Sequence, residues 1–174
     1  MMKKGLLIVN TGNGKGKTTA ALGMAFRALG HGMRVCVIQF IKGSWKYGEL
    51  ESAKRFSDLL EFHVMGKGFT WKSENIDEDK AAARDAWDFA KVKISSNEFG
   101  LVILDELTYL VKFGMVSEEE IMDILCKRPQ NLHVVVTGRY AGEQLIANAD
   151  LVTQMVAEKH PLKNGIKAQK GVEF

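Results

Sequence analysis

The feature that most constrains this chain is a segment rich in glycine and lysine at residues 11–18, Thr-Gly-Asn-Gly-Lys-Gly-Lys-Thr. An apolar run at residues 6–9 precedes it and an alanine-rich stretch of helical period follows it, so the segment joins a strand to a helix. Glycines permit backbone angles that turn successive N–H groups toward one point, and the helix start adds a positive dipole end. The sequence therefore predicts a phosphate-binding loop, with Lys17 on phosphate oxygens and the Thr18 hydroxyl on a magnesium ion.

The loop departs from the general pattern G-x-x-x-x-G-K-[ST] at one position, because Thr11 stands where the first glycine is expected. A glycine-rich turn between unrelated elements is the alternative interpretation. The order of strand, loop, lysine, hydroxyl and helix favours the phosphate-binding loop. The predicted nucleotide contacts in this segment are Gly12, Asn13, Gly14, Lys15, Gly16, Lys17, Thr18 and Thr19.

Length and composition predict a single domain over residues 1–174. Hydrophobic residues make up 46% and charged residues 26% of the chain, as in an ordinary soluble protein. The net charge is +3, from 24 basic and 21 acidic residues, and there is no long basic run, so the sequence does not predict a nucleic-acid partner.

The sequence shows no run of about twenty apolar residues and no cleavable leader, so neither a membrane span nor secretion is predicted. Cys36 and Cys126 belong to no C-x-x-C or zinc-like spacing, and we expect both to be reduced and buried. These observations together predict a cytoplasmic protein.

Apolar runs alternate with segments of helical period along the whole chain. Strands are predicted at residues 6–9, 34–40, 60–65, 101–104, 132–136 and 151–156, and helices at 18–29, 49–59, from about 77 onward and at 117–125. Nearly continuous apolar strands with helices between them predict a three-layer α/β fold with a mostly parallel central sheet. In such folds ligands bind at the carboxyl ends of the strands.

Several charged residues follow the predicted strands directly. Asp105 and Glu106 come after four apolar residues, the Walker B arrangement in which a carboxylate completes a magnesium site, although a solvated acidic pair after a strand is also common. Arg139 follows a later strand and predicts bidentate phosphate contact, the alternative being a surface ion pair. Lys42, after the second strand, is a further predicted nucleotide contact.

Two aromatic residues, Phe69 and Trp71, lie in a predicted loop that contains two glycines. They are either ligand contacts or a hydrophobic plug folded onto the domain. Trp87, on the apolar stripe of a predicted helix, is expected in the core. The sequence has no nucleophile elbow and no clustered histidines or cysteines, so the residues by themselves indicate an enzyme acting on a magnesium–nucleoside triphosphate.

The motifs also resemble one known family, the P-loop type of ATP:cob(I)alamin (corrinoid) adenosyltransferase. The resemblance spans residues 5–174, and the threonine at position 11 is a family feature. It is carried by TGNGKGKTTAA at 11–21, VIQFIKG at 37–43, GFTW at 68–71, LDELTY at 104–109, RP at 128–129, TGR at 137–139, KH at 159–160 and AQxG at 168–171.

The resemblance implies a P-loop NTPase-like (Rossmann-like) homodimer that transfers the 5′-deoxyadenosyl group of ATP to cobalt(I) of a reduced corrinoid and releases triphosphate. It implies that Phe69 and Trp71 face the corrin, that Lys17 and Arg139 neutralise the leaving group, and that a reductase such as a flavoprotein supplies electrons. A P-loop ATPase or small-molecule kinase is the alternative, and a non-catalytic nucleotide switch or corrinoid carrier is a third.

Overall fold

The computed structural model describes residues 4–43, 47–66 and 76–174, with the side chains of residues 76 and 77 left out. Its centre is a six-stranded sheet in which all neighbouring strands are parallel. The strands are β1 (Leu7–Thr11), β2 (Val35–Gln39), β3 (Leu60–Val64), β4 (Leu101–Asp105), β5 (His133–Thr137) and β6 (Leu151–Gln154). Their order across the sheet is β3-β2-β4-β5-β1-β6. Every predicted strand is confirmed, and no end differs from its prediction by more than two residues.

Alternate residues of the central strands supply two separate hydrophobic cores, because successive side chains of a strand point to opposite faces. On one face, Leu7, Val9 and their neighbours pack with Trp87, which is fully buried as predicted. On the other face, Ile8 and its neighbours pack against Ala21 and the rest of that helix. Helices therefore cover both faces of the sheet, and the predicted three-layer arrangement is confirmed.

The helices are α1 (Lys17–Leu29), α2 (Gly48–Ala53), α3 (Ile76–Ser95), α4 (Thr108–Lys112), α5 (Glu118–Cys126) and α6 (Glu143–Asn148). The predicted helix at 49–59 was too long: after α2 the chain forms a 3₁₀ turn at Lys54–Phe56 and then a further turn before β3 begins. The backbone of Leu59 already pairs with β2 through Val35, so the chain must leave its helical path there.

Helix α5 begins at the predicted cap, where the amide of Glu120 donates to the Ser117 hydroxyl at 3.1 Å. The Glu120 carboxylate binds the Trp87 indole N–H at 2.9 Å and the Arg84 guanidinium at 2.7 Å, and so ties α5 to α3. The prediction that both cysteines are buried is wrong for Cys126. This residue ends α5 and is exposed, because the apolar stripe of the helix ends one position earlier at Leu125.

Arg128 has a structural role at the amino ends of the strands, away from the predicted ligand edge. Its guanidinium donates to the carbonyl oxygens of Leu125 at 2.7 Å and Gly5 at 3.2 Å, and so fixes the entry to β1. Within the described ranges no helix is long and apolar enough to cross a lipid bilayer.

Candidate active site

A cleft of about 630 Å³ opens at the carboxyl ends of the strands, where the sequence predicts the ligand edge. It is lined by Gly14, Lys15, Gly16, Lys17, Thr18, Thr19, Leu22, Lys42, Gly48, Glu49, Ser52, Glu106, Tyr109, Arg139 and residues 171–174. Most of the predicted nucleotide contacts thus meet in one place. Gly12 and Asn13 lie beside it, and Asn13 lines an adjacent cleft of about 660 Å³ that shares Arg139.

The glycine-rich loop is shaped by two constraints. Gly16 has φ 105°, a left-handed conformation that suits glycine, and it leads directly into α1. Gly14 packs against the chain after β6: its amide donates to the Met155 carbonyl at 2.8 Å, and an added Cβ would lie 2.8 Å from the Val156 carbonyl oxygen. Thr11 is still part of β1 and paired with Gln154, so no left-handed backbone is needed there and threonine is accommodated.

Lys17 is held inside the loop. Its ammonium donates to the carbonyl oxygens of Gly12 at 2.9 Å and Gly14 at 2.7 Å, and the residue is only 6% exposed. Burial lowers the pKa of Lys17, and the nearby Glu106 carboxylate opposes this effect. A cation in this position sits at the centre of the loop, where phosphate oxygens would compete with the two carbonyls.

Asp105 is a fully satisfied carboxylate that joins three strand ends to the loop. Its Oδ1 accepts from the hydroxyls of Thr18 and Thr137, each at 2.7 Å, and its Oδ2 accepts from the Gln39 side-chain amide at 3.0 Å. Because β5 lies between β1 and β4, Thr137 bridges the Walker-type acid and the phosphate-loop side of the sheet. The Thr18 proton is thereby committed to Asp105, and the lone pairs of the hydroxyl remain for another ligand.

Glu106 is in a contrasting environment. It adopts φ 63°, which is costly for a residue other than glycine. Its backbone amide donates a hydrogen bond of 2.9 Å to the Thr137 hydroxyl, which holds this conformation. Among the described residues, its buried Oε2 has no hydrogen-bond partner. Burial, and then the negative charge of Asp105, raise the pKa of Glu106 to about 7. A carboxylate with one such oxygen, lining the same cleft as the phosphate loop, is a candidate cation ligand.

Arg139 reaches the cleft because the preceding residue is a glycine. Gly138 has φ 146°, and a Cβ there would overlap the Thr108 side chain at the start of α4. Arg139 lines the cleft, and among the described residues no hydrogen bond or ion pair is found for its guanidinium. Phosphate contact and a surface ion pair both stay predictions for this residue. Lys42 is engaged: its ammonium lies 2.5 Å from the Glu49 carboxylate and 4.5 Å from the centroid of the Tyr47 ring.

Tyr109 and residues 171–174 line the cleft and were not among the predicted site residues. Tyr109 packs edge-on against Tyr140, with ring centroids 5.4 Å apart. Its only sequence signal was its place in the LDELTY motif, since helix α4 itself was not predicted. Phe69 and Trp71, the predicted corrin-facing aromatics, lie outside the described residues.

Outside the cleft, the described residues bring together Cys36, Glu61 and His63, with ligand atoms within 4.8 Å of one another. The Glu61 carboxylate is bound by Lys93 at 2.7 Å, and this hydrogen bond lowers the pKa of Glu61. The group is therefore an ion-pair cluster that ties the edge strand β3 to α3.

Comparison with known proteins agrees with this geometry. Residues 3–174 match the family described as ATP:corrinoid adenosyltransferase BtuR/CobO/CobP. The corrinoid adenosyltransferase of Pseudomonas aeruginosa is 48% identical over 172 residues, which is 99% of this chain and 85% of that protein. The corrinoid adenosyltransferase of Escherichia coli K12 is 43% identical over 99% of this chain and 87% of its own length.

Among solved structures, the flagellar accessory protein FlaH from Methanocaldococcus jannaschii superposes with a TM-score of 0.57 at 14% identity. The superposition covers 87% of this chain and 71% of that one, and at this identity it bears on the fold alone. The predicted P-loop NTPase-like fold class is thereby confirmed. Because the family match spans residues 3–174 and these two relatives are 48% and 43% identical, the chain belongs to the ATP:corrinoid adenosyltransferase family.

Proposed function

We propose that this protein transfers the 5′-deoxyadenosyl group of ATP to the cobalt(I) of a reduced corrinoid and releases inorganic triphosphate. Family membership over residues 3–174 supports the reaction. The observation that carries it in the structure is the meeting in one cleft of Lys17, Arg139 and Glu106, whose Oε2 has no hydrogen-bond partner in the described part of the chain. The domain over residues 1–174 acts as one adenosyltransferase unit in this proposal.

The proposed reaction requires no proton transfer from the nucleophile. Cobalt(I) donates an electron pair to C5′, the cobalt–carbon bond forms, and the bond from C5′ to the triphosphate oxygen breaks with its electrons going to the leaving group. The nucleophile has no proton to lose, so a general base is unnecessary. The protein's part is to orient C5′ toward cobalt and to neutralise the charge that develops on the triphosphate.

The loop and its two cations supply that neutralisation. The loop residues around Gly16 line the cleft at the start of α1, where helix amides have no partner within the helix. Lys17 is already buried among loop carbonyls that phosphate oxygens can replace. Arg139 adds a planar fork of donors that is not engaged by the described residues. Lys15, Thr19 and Lys42 line the same cleft and complete the proposed nucleotide contacts.

The oxygen donors of the cleft fit a magnesium ion. Glu106 presents a carboxylate oxygen that none of the described residues binds, and Thr18 presents a hydroxyl whose proton is held by Asp105. We assign Glu106 and Thr18 as the proposed ligands, and Asp105, whose two oxygens are already bonded, as the residue that orients Thr18. Magnesium at this position would supply charge neutralisation of the triphosphate.

Further parts of the proposal come from the family resemblance. Phe69 and Trp71 face the corrin and displace its lower ligand, which makes cobalt(II) easier to reduce. A flavoprotein-type reductase supplies the electrons, the enzyme works as a homodimer, and the reaction takes place in the cytoplasm.

The proposal is tested by incubating the protein with magnesium, ATP and chemically reduced cobalamin, and by following the light-sensitive absorbance of the alkylated corrinoid. We expect Lys17→Ala to lower the rate by about a hundredfold or more, because a leaving-group cation acts in the transition state. A matched control is Lys127→Ala, since this exposed lysine pairs with Asp123 on α5 and is absent from the cleft. A Lys17→Ala rate within about threefold of wild type would contradict the assignment.

A further inference from the structure

The last four residues, 171–174, form a wall of the nucleotide cleft. They line it together with Lys15, Lys17 and Thr18 of the phosphate loop. The segment is a compact turn: Gly171 adopts φ 79°, and the Glu173 amide donates to the Gln169 carbonyl at 2.8 Å. The turn leaves Val172 80% exposed and directs Glu173 toward the loop, with its side chain only 14% exposed.

Glu173 is bound to the phosphate loop itself. Its carboxylate forms an ion pair with the Lys15 ammonium, although the two residues are 158 positions apart in the chain. Lys17 is also occupied, by the carbonyls of Gly12 and Gly14. Both lysines of the loop therefore bind protein oxygens at the place where a triphosphate is expected to lie.

A carboxylate in this position has two effects on a polyanion. It engages Lys15, a cation that the phosphates need, and it places a negative charge at the wall of the same cleft. Both effects oppose nucleotide binding, and neither contributes to the chemistry at C5′. The contact must be exchanged when the triphosphate takes Lys15.

We propose that Glu173 is a positioning residue of the triphosphate site, which holds Lys15 in place of a phosphate until the nucleotide displaces it. The inference rests on the proposed function only in taking a triphosphate as the ligand of the loop. It predicts that Glu173 sets the affinity for ATP and for the triphosphate product. Because the intact Glu173–Lys15 pair would weaken the binding of triphosphate, it would favour release of this product.

The test is calorimetric binding of magnesium–ATP and of inorganic triphosphate to the corrinoid-free protein. We expect Glu173→Gln to bind both ligands about two- to fivefold more tightly, the range that one solvent-accessible ion pair supports. Glu158→Gln is the matched control, since Glu158 is exposed on the same terminal segment and does not line the cleft. In the Lys15→Gln background, Glu173→Gln should give less than about half of that gain, because the pair is then already broken.

Unchanged or weaker binding by Glu173→Gln would overturn the inference, and so would an equal gain in the Lys15→Gln background. Steady-state kinetics give a second readout: the KM for ATP should fall, whereas a merely structural role would raise the KM or lower the melting temperature. If ATP binds as predicted but no corrinoid is adenosylated, the proposed function fails and this inference stands. If adenosylation proceeds and Glu173→Gln has no effect, only this inference fails.

Discussion

Glu106 should make the nucleotide-free, metal-free protein less stable as the pH rises. Burial beside Asp105 raises the pKa of this carboxyl from 4.5 to about 7 in the folded protein. The folded state therefore binds more protons than the unfolded chain between these two values, and the free energy of unfolding falls as pH increases through that window. At about 1.4 kcal/mol for each pKa unit, the loss has a ceiling of about 3 kcal/mol above pH 7.

Glu106→Gln removes the ionisation and keeps the size and the left-handed backbone requirement of the side chain. We expect the free energy of unfolding of the variant to exceed that of wild type by less than about 1 kcal/mol near pH 5 and by up to about 3 kcal/mol near pH 8. Urea unfolding at several pH values, without magnesium or nucleotide, measures the difference. Glu158→Gln, at an exposed position, is the control and should show no such trend. A stability difference that stays constant with pH would refute the view that ionisation of Glu106 lowers the free energy of unfolding.

The remaining predictions concern the reaction. Arg139→Ala should lower kcat/KM for ATP by about tenfold or more, because it removes hydrogen-bond donors from the triphosphate leaving group. If the steady-state rates at limiting ATP equal those of wild type, the alternative of a surface ion pair is favoured for Arg139. The defect of Glu106→Gln should shrink as magnesium is raised, and a titration curve parallel to wild type would count against metal ligation. Phe69→Ala and Trp71→Ala should impair the cobalt(II)-dependent reaction much more than the cobalt(I)-dependent one, and equal impairment would mean that the loop is a packing plug.

Much of the fold could be predicted because its strands are buried on both faces and so appear as apolar runs. The strand at 101–104 was placed to within one residue for this reason. The helix at 18–29 was placed equally well because its apolar residues follow the helical period. Helix α4 was missed because it has only five residues and no period can be seen over that length. The predicted helix at 49–59 failed because pairing of Leu59 with β2, a tertiary contact, ends it early.

The candidate site also has parts that could be predicted from the sequence and parts that could not. Lys17, Thr18 and Glu106 belong to local motifs whose chemistry can be read from neighbouring residues. The different environments of Asp105 and Glu106 could not be predicted, because they depend on Thr137 and Gln39 from two other strands. Glu173 gave no signal, since its partner Lys15 lies at the opposite end of the chain.

The most direct test of the proposed reaction is the identity and amount of the phosphate product. With ATP, magnesium and cobalt(I) cobalamin, ion chromatography should find one inorganic triphosphate for each adenosylated corrinoid, and no ADP above the level of a corrinoid-free control. Triphosphate is expected because the bond that breaks lies between C5′ and the α-phosphate oxygen. ADP and phosphate, formed whether or not corrinoid is present, would contradict adenosyl transfer and identify an ATPase or kinase.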